Sequence, residues 1–354
     1  MSRSTNTMNS YTQIHRQLLA TVSVAALIGL GTASEAVASD SGKPVIELEL
    51  AGQFDQLADK QTRWVPDYFA RHVGPMAGMF QGAQKTPRYG FDADAGLAFR
   101  PGDEGWVLAA SIRLGRARQP GSGSKSDHIL PYPVYVQNPS NYGALSHQNE
   151  SHLFVDFSVG KDVGLGIAGS ESTFSAGVRI ANMRSRSDVH ITSNFPISFH
   201  GSATNDPDSR IVRKFQGAGP FVAWKASAPI AGQPDSGELG IDWGLNGGLL
   251  FGRQTLSQTV DAYYRYGKRV HYAHPSVHRT AQSSRWRQRK ATVPEAGAYA
   301  ALYYRFPNAK VSLGYRADWY FNALDGGLAS AQQVDRGFFG PFASISIGVS
   351  PSDF

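Results

Sequence analysis

A chain of 354 residues with no cysteine cannot draw its stability from disulfides, and its 38 glycines and 11% aromatics suit strands better than helices. The formal net charge is a mild +6. Beyond the first 38 residues no segment offers the roughly 18 consecutive apolar residues of a spanning helix, so the chain either stays out of a bilayer or enters it as strands.

Residues 1–38 read as an export signal. Arg3 and Arg16 precede an apolar run over residues 18–30, and Ala36-Val37-Ala38 is a small-x-small cleavage site. The remainder, 39–354, is expected to form one domain. It contains ten segments in which apolar and small or polar residues alternate with period two, the pattern of a strand with one apolar face. Residues 45–54 set Ile46, Leu48, Leu50 and Phe54 against Glu47, Glu49 and Gln53. Residues 88–100 and 106–117 are expected to pair around a short Pro-Gly-Asp-Glu-Gly turn, with Phe91, Leu97, Leu108 and Ile112 opposite Asp92, Asp94 and Arg113. Segments 152–160 and 172–184 put Val155, Phe157, Val178 and Ile180 opposite His152, Asp156 and Arg179. Segment 213–228 is the least regular, while 238–253 cleanly opposes Leu239, Ile241, Trp243 and Leu245 to Glu238 and Asp242. Residues 295–306 and 310–322 predict a hairpin around Pro307-Asn308. The tenth segment, 339–349, carries Phe339, Ala343, Ile345, Ile347 and Val349 on one face; Pro351 ends it, and Phe354 lies out of phase on a short tail.

Connections alternate in length. Those around 55–87, 118–149, 186–209, 254–293 and 323–336 are expected to be long loops, and the intervening ones short turns. Short turns at one end and long loops at the other, an even strand count and both ends of the sheet on the short-turn side are the requirements of an antiparallel membrane barrel. The expected fold is all-β: a closed, antiparallel, up-and-down transmembrane β-barrel of about ten strands, with eight or twelve as the neighbouring even counts. A soluble lipocalin-like barrel, apolar inside, is the competing architecture; it leaves the loop asymmetry unexplained.

The stretches "FQGAGPFVAW" (215–224), "VSLGYRADWYFNALDGG" (311–327) and "GPFASISIG" (340–348) resemble the Legionella-type pore-forming major outer membrane protein family. That resemblance implies a porin-like barrel in the outer membrane of a Gram-negative bacterium, and it leaves the solute open.

With these faces assigned, the lumen is expected to hold Glu47, Glu49, Asp92, Asp94, Asp156, Glu238, Asp242, Glu295 and Asp318 together with Arg88, Arg100, Arg113, Arg179, Lys225, Arg305 and Arg316. Two readings follow: a narrow charge-lined conduit for small solutes, or a salt-bridged filling that closes the barrel. Arg316 and Asp318 are placed at the centre of the network. The expected loop 254–293 concentrates Arg265, Lys268, Arg269, Arg285, Arg287, Arg289 and Lys290 among aromatics, and is read as a contact for lipopolysaccharide phosphate or other anions rather than nucleic acid. His271, His274 and His278 lack a joining carboxylate, so no metal is assigned, and no cofactor is called for. No spacing singles out a catalytic dyad or triad, although barrel enzymes and adhesins acting through long loops remain the alternatives. Residues 55–85, with Trp64, Tyr68 and Phe69, are read as a first external stretch. Expected partners are outer-membrane lipid, lipopolysaccharide, barrel assembly machinery and small solutes; the oligomeric state is left open.

Overall fold

The computed structural model describes residues 45–58, 88–102, 104–128, 140–164, 170–197, 201–205, 208–233, 236–268, 276–307, 309–327 and 333–349. The export signal, the segment with Trp64, Tyr68 and Phe69, residues Arg269, His271 and His274, and Phe354 lie outside them. Ten strands form the barrel: β1 (Val45–Ala58), β2 (Arg88–Arg100), β3 (Trp106–His128), β4 (Ser140–Asp162), β5 (Glu171–Ile197), β7 (Asp208–Gln233), β8 (Gly237–Lys268), β9 (Ser276–Arg305), β10 (Ala309–Asp325) and β11 (Gln333–Val349). A short β6 (Gly201–Asn205) lies between the outer ends of β5 and β8, in line with β7. Each barrel strand pairs antiparallel with its neighbour, and β11 pairs with β1 from Ile46↔Val349 to Ala58↔Gly337, which closes the sheet. Closure satisfies every edge, the condition for strands in hydrocarbon.

Side chains alternate as the sequence dictates. On β8 the odd residues from Leu239 to Phe251 point outward, and Leu245 is 54% exposed on the barrel wall. Thirteen residues tilted as barrel strands are span about 30 Å, the thickness of an apolar membrane core. Trp106 and Phe306 ring the short-turn end and Tyr89, Phe91 and Phe251 the other, all exposed, as interfacial girdles.

Strand length departs from the expectation. Much of 118–149, 186–209 and 254–293 is not loop but continuous strand, and β8 and β9 run to 32 and 30 residues. The reason is an exchange of faces. Past Phe251 the outward residues become Arg253, Thr255 and Ser257, while Leu250, Leu256 and Val260 turn inward and are buried. On β5, the outward residues that follow Ile180, from Asn182 and Arg184 to His190, are polar, with Ala181, Met183 and Val189 buried inside. The wall therefore extends beyond the apolar band as a water-soluble barrel with its own greasy interior.

Candidate functional site

Three layers fill the lumen. Nearest the short turns the inward residues are small or polar and partly wetted: Glu47 and Glu49 are half-buried, Ser111 and Lys225 exposed. Asp242 accepts from Lys310 Nζ at 2.9 Å and from Ser312 Oγ at 3.3 Å, Tyr303 donates to Glu238 at 2.7 Å, and Arg305 lies 3.6 Å from Glu171 and 3.8 Å from Glu238. Arg100 bonds Asp162 at the rim.

The middle layer is a charge network. Arg113 donates from Nε to Asp92 at 2.6 Å, from Nη1 to Asp318, and from Nη2 to Gln53 Oε1 at 3.3 Å, so one guanidinium joins β1, β2, β3 and β10. Arg316 Nη1 reaches Asp94 at 2.5 Å, and its guanidinium lies over the Phe342 ring. Arg179 grips Asp156 with two bonds, 2.8 and 2.7 Å, crosses the lumen to Glu295 at 2.9 Å, and lies over Phe221. The fork geometry of arginine makes these pairs directional, which fixes the interior in one arrangement. The expected centre, Arg316 and Asp318, is in the network, but the two bond different partners, and Arg113 is the hub.

Gln53, Asp55 and His152 complete this layer. Gln53 Nε2 donates to Asp55 Oδ1 at 2.6 Å, and His152 Nε2 lies 2.9 Å from Asp92 Oδ2. Donor atoms of Asp55, Asp92 and His152 lie within 4.8 Å of one another, the reach of a metal ion, and Asp92 Oδ1 is buried with no hydrogen-bond partner. The other Asp92 oxygen already serves Arg113, however, and a guanidinium at that distance opposes a divalent cation. From sequence Asp55 falls at the start of an expected loop and His152 has no partner on its own strand; register across β1 to β4, not spacing along one strand, brings them together.

The third layer is apolar. Leu57, Phe154, Met183, Phe215, Leu250, Val293, Tyr320, Leu324 and Phe338 form one buried cluster with Ala117, Ala181, Ala291 and Ala323, so every barrel strand except β2 contributes. Phe154 stacks on Tyr320 across the lumen at 4.8 Å, and His152 packs against Phe338 at 4.1 Å. The strand β10 bends inward to complete it. Two extra residues between Tyr320 and Leu324, with Asn322 at φ 57°, make a bulge, and Ala323, Leu324 and Asp325 beyond it are fully buried. Arg213 Nε donates to the Asp325 carbonyl at 2.9 Å and Gln254 Nε2 to the Asn322 carbonyl at 2.5 Å, tying the bend to β7 and β8.

No protein-family model matches the chain, and no curated protein matches it. Among solved structures, the outer membrane protease OmpT from Escherichia coli shares 11% identity over 90% of this chain and 99% of that one, with a TM-score of 0.30. The translocator domain of the autotransporter NalP from Neisseria meningitidis shares 11% over 96% and 97%, with a TM-score of 0.23, and a mutant of the monoaromatic hydrocarbon channel TodX shares 9% over 87% and 90%, at 0.21. Likeness at that level assigns no role.

The basic segment is redistributed by the structure. Arg287 and Arg289 do not reach out toward lipid; they turn inward, where Arg287 Nε bonds Asp325 Oδ2 at 3.0 Å and Arg289 Nε bonds Gln254 Oε1 at 2.7 Å. The cause is again parity: odd residues of β9 face the interior. Lys290, on an even position, is exposed outward, Arg285 is exposed, and Arg265 and Lys268 belong to the outer end of β8.

Proposed function

We propose that the chain is an outer-membrane barrel of a Gram-negative envelope, acting as a structural surface protein with a closed lumen. The observation that carries this reading is the apolar layer, which draws on nine barrel strands and has Phe215, Leu250 and Val293 at 0% exposure. Ions cross such a layer only if it fills with water or opens, and the guanidinium network beneath it leaves little free charge to conduct. The extended soluble wall supplies the surface on which such a protein acts. An enzyme reading has less support, because the Asp92–His152 pair lies beneath Phe154 and Phe338.

The porin-like reading implied by the family resemblance draws on one feature, the wetted vestibule around Glu47, Glu49, Ser111 and Lys225. Planar bilayers separate the two. Folded protein, verified by heat-modifiable gel migration, is expected to leave the bilayer silent. Discrete conductance steps that shift in Arg316→Gln or Asp318→Asn overturn the closed barrel in favour of the pore.

A further inference from the structure

Immediately beyond the apolar band, the outer wall carries Arg184 on β5, Lys214 on β7, Arg253 on β8 and Lys290 on β9, all exposed. Their registers make one continuous run. Arg184 is directly opposite Lys214, Lys214 is opposite Thr255 and therefore diagonal to Arg253, and Arg253 is directly opposite Lys290. Opposed residues on adjacent strands stand about 5 Å apart and diagonal ones about 7 to 8 Å, so two like-charge pairs abut at a spacing that is destabilising unless an anion lies between them. Among the described residues none of the four forms an ion pair. The outward neighbours at this level are Asn182, Gln216, Thr255, Gln288 and Thr292, with no carboxylate among them. Asp188, further out, is occupied by Arg186 and Arg210.

We infer that this four-cation run is a docking surface for the phosphorylated headgroup of a multiply acylated lipid in the surrounding leaflet. Charge selects phosphate, and position selects the lipid. The run begins one to two outward residues past Ile180, Ala218 and Phe251, so a headgroup seated on it places its acyl chains along the apolar wall below. A diphosphorylated glucosamine lipid has two phosphoryl groups to set against the two abutting pairs, and each cation near such a surface adds attraction that salt weakens. The inference rests on the membrane placement of the barrel and not on whether its lumen is closed.

The test uses folded full chain in zwitterionic detergent, with lipid retention read by native mass spectrometry. The probes are diphosphorylated lipid A, the same lipid with both phosphates removed, and inorganic phosphate. Wild type is expected to bind the diphosphorylated lipid at least tenfold tighter than the dephosphorylated one. Combined Arg184→Gln, Lys214→Gln, Arg253→Gln and Lys290→Gln should abolish that preference, while Arg210→Gln preserves it. Heat-modifiable migration confirms that each variant is folded; if the fourfold variant is not, Lys214→Gln with Arg253→Gln carries the comparison. Equal retention of both lipids by wild type, or a preference that survives in the variant, overturns the inference, as does equally tight binding of inorganic phosphate. A protein that fails to insert at all is recognised separately, by its gel behaviour.

Discussion

At Arg113 three hydrogen bonds from one side chain, 9% exposed as a residue, hold carboxylates and an amide from separate strands. A buried ion cluster stabilises only while it is whole, because removing the cation leaves Asp92 and Asp318 desolvated and mutually repelling. Arg113→Ala is therefore expected to cost about 3–5 kcal/mol, read as a shift of the urea unfolding midpoint of barrel reconstituted in lipid vesicles. Adding Asp92→Asn and Asp318→Asn to Arg113→Met should recover most of the loss, since neutral partners no longer need the guanidinium. A loss under 1 kcal/mol in the single variant would show that water reaches this layer and that the lumen is open.

At the scale of elements, the outer parts of β5 and β7 carry an ion cluster on their outward face, in which Arg186 and Arg210 flank Asp188. Burial raises the carboxyl pKa of Asp188, but hydrogen bonds from Arg186 and Arg210 outweigh it and hold the group below the usual carboxylate range. A depressed folded value means that the stabilisation is complete above the unfolded pKa of about 3.9 and is lost as pH falls through the lower folded value. Amide-exchange protection at the tips of β5 and β7, corrected for intrinsic rate, is expected to be level from neutral pH down to about 5 and to fall below about 4. The difference between wild type and Asp188→Asn isolates this carboxyl from the neighbouring His190–Asp208 pair. Identical profiles in the two proteins would remove the ion pair from the account.

These same extensions show where sequence reading succeeds and stops. Within the apolar band, strict alternation names the outward face of every strand, and Arg113, Arg179, Arg316 and Asp318 turn inward as their parity requires. Beyond the band the period continues but the polar and apolar faces trade places, so the segments read from sequence stop at Arg184 and Arg253, and the stretches after them read as loop. What parity cannot convey is partnership across the lumen. Arg113 meets Asp318 over 205 residues of separation, and the bulge at Asn322 that folds Leu324 inward has no signature short of the paired register.

For the molecule as a whole, the exchange of faces defines a boundary with measurable depth. Leu245 and Thr255 both point outward from β8, ten residues apart on one face, so neither change disturbs the lumen. Leu245 faces the middle of the apolar band and Thr255 stands beyond Arg253, at a level rich in cations. A lysine on the lipid face of a barrel costs about 2–4 kcal/mol at the bilayer midplane and about 0–1 near the interface. Leu245→Lys is expected to lower unfolding stability in lipid vesicles by the larger amount and Thr255→Lys by the smaller. In detergent micelles, which adapt around a charge more readily than a bilayer, the gap between the two should narrow. Equal costs in vesicles would place both residues in one environment and remove the apolar band as the membrane-crossing segment; a soluble barrel would tolerate both changes alike, since neither residue touches its interior.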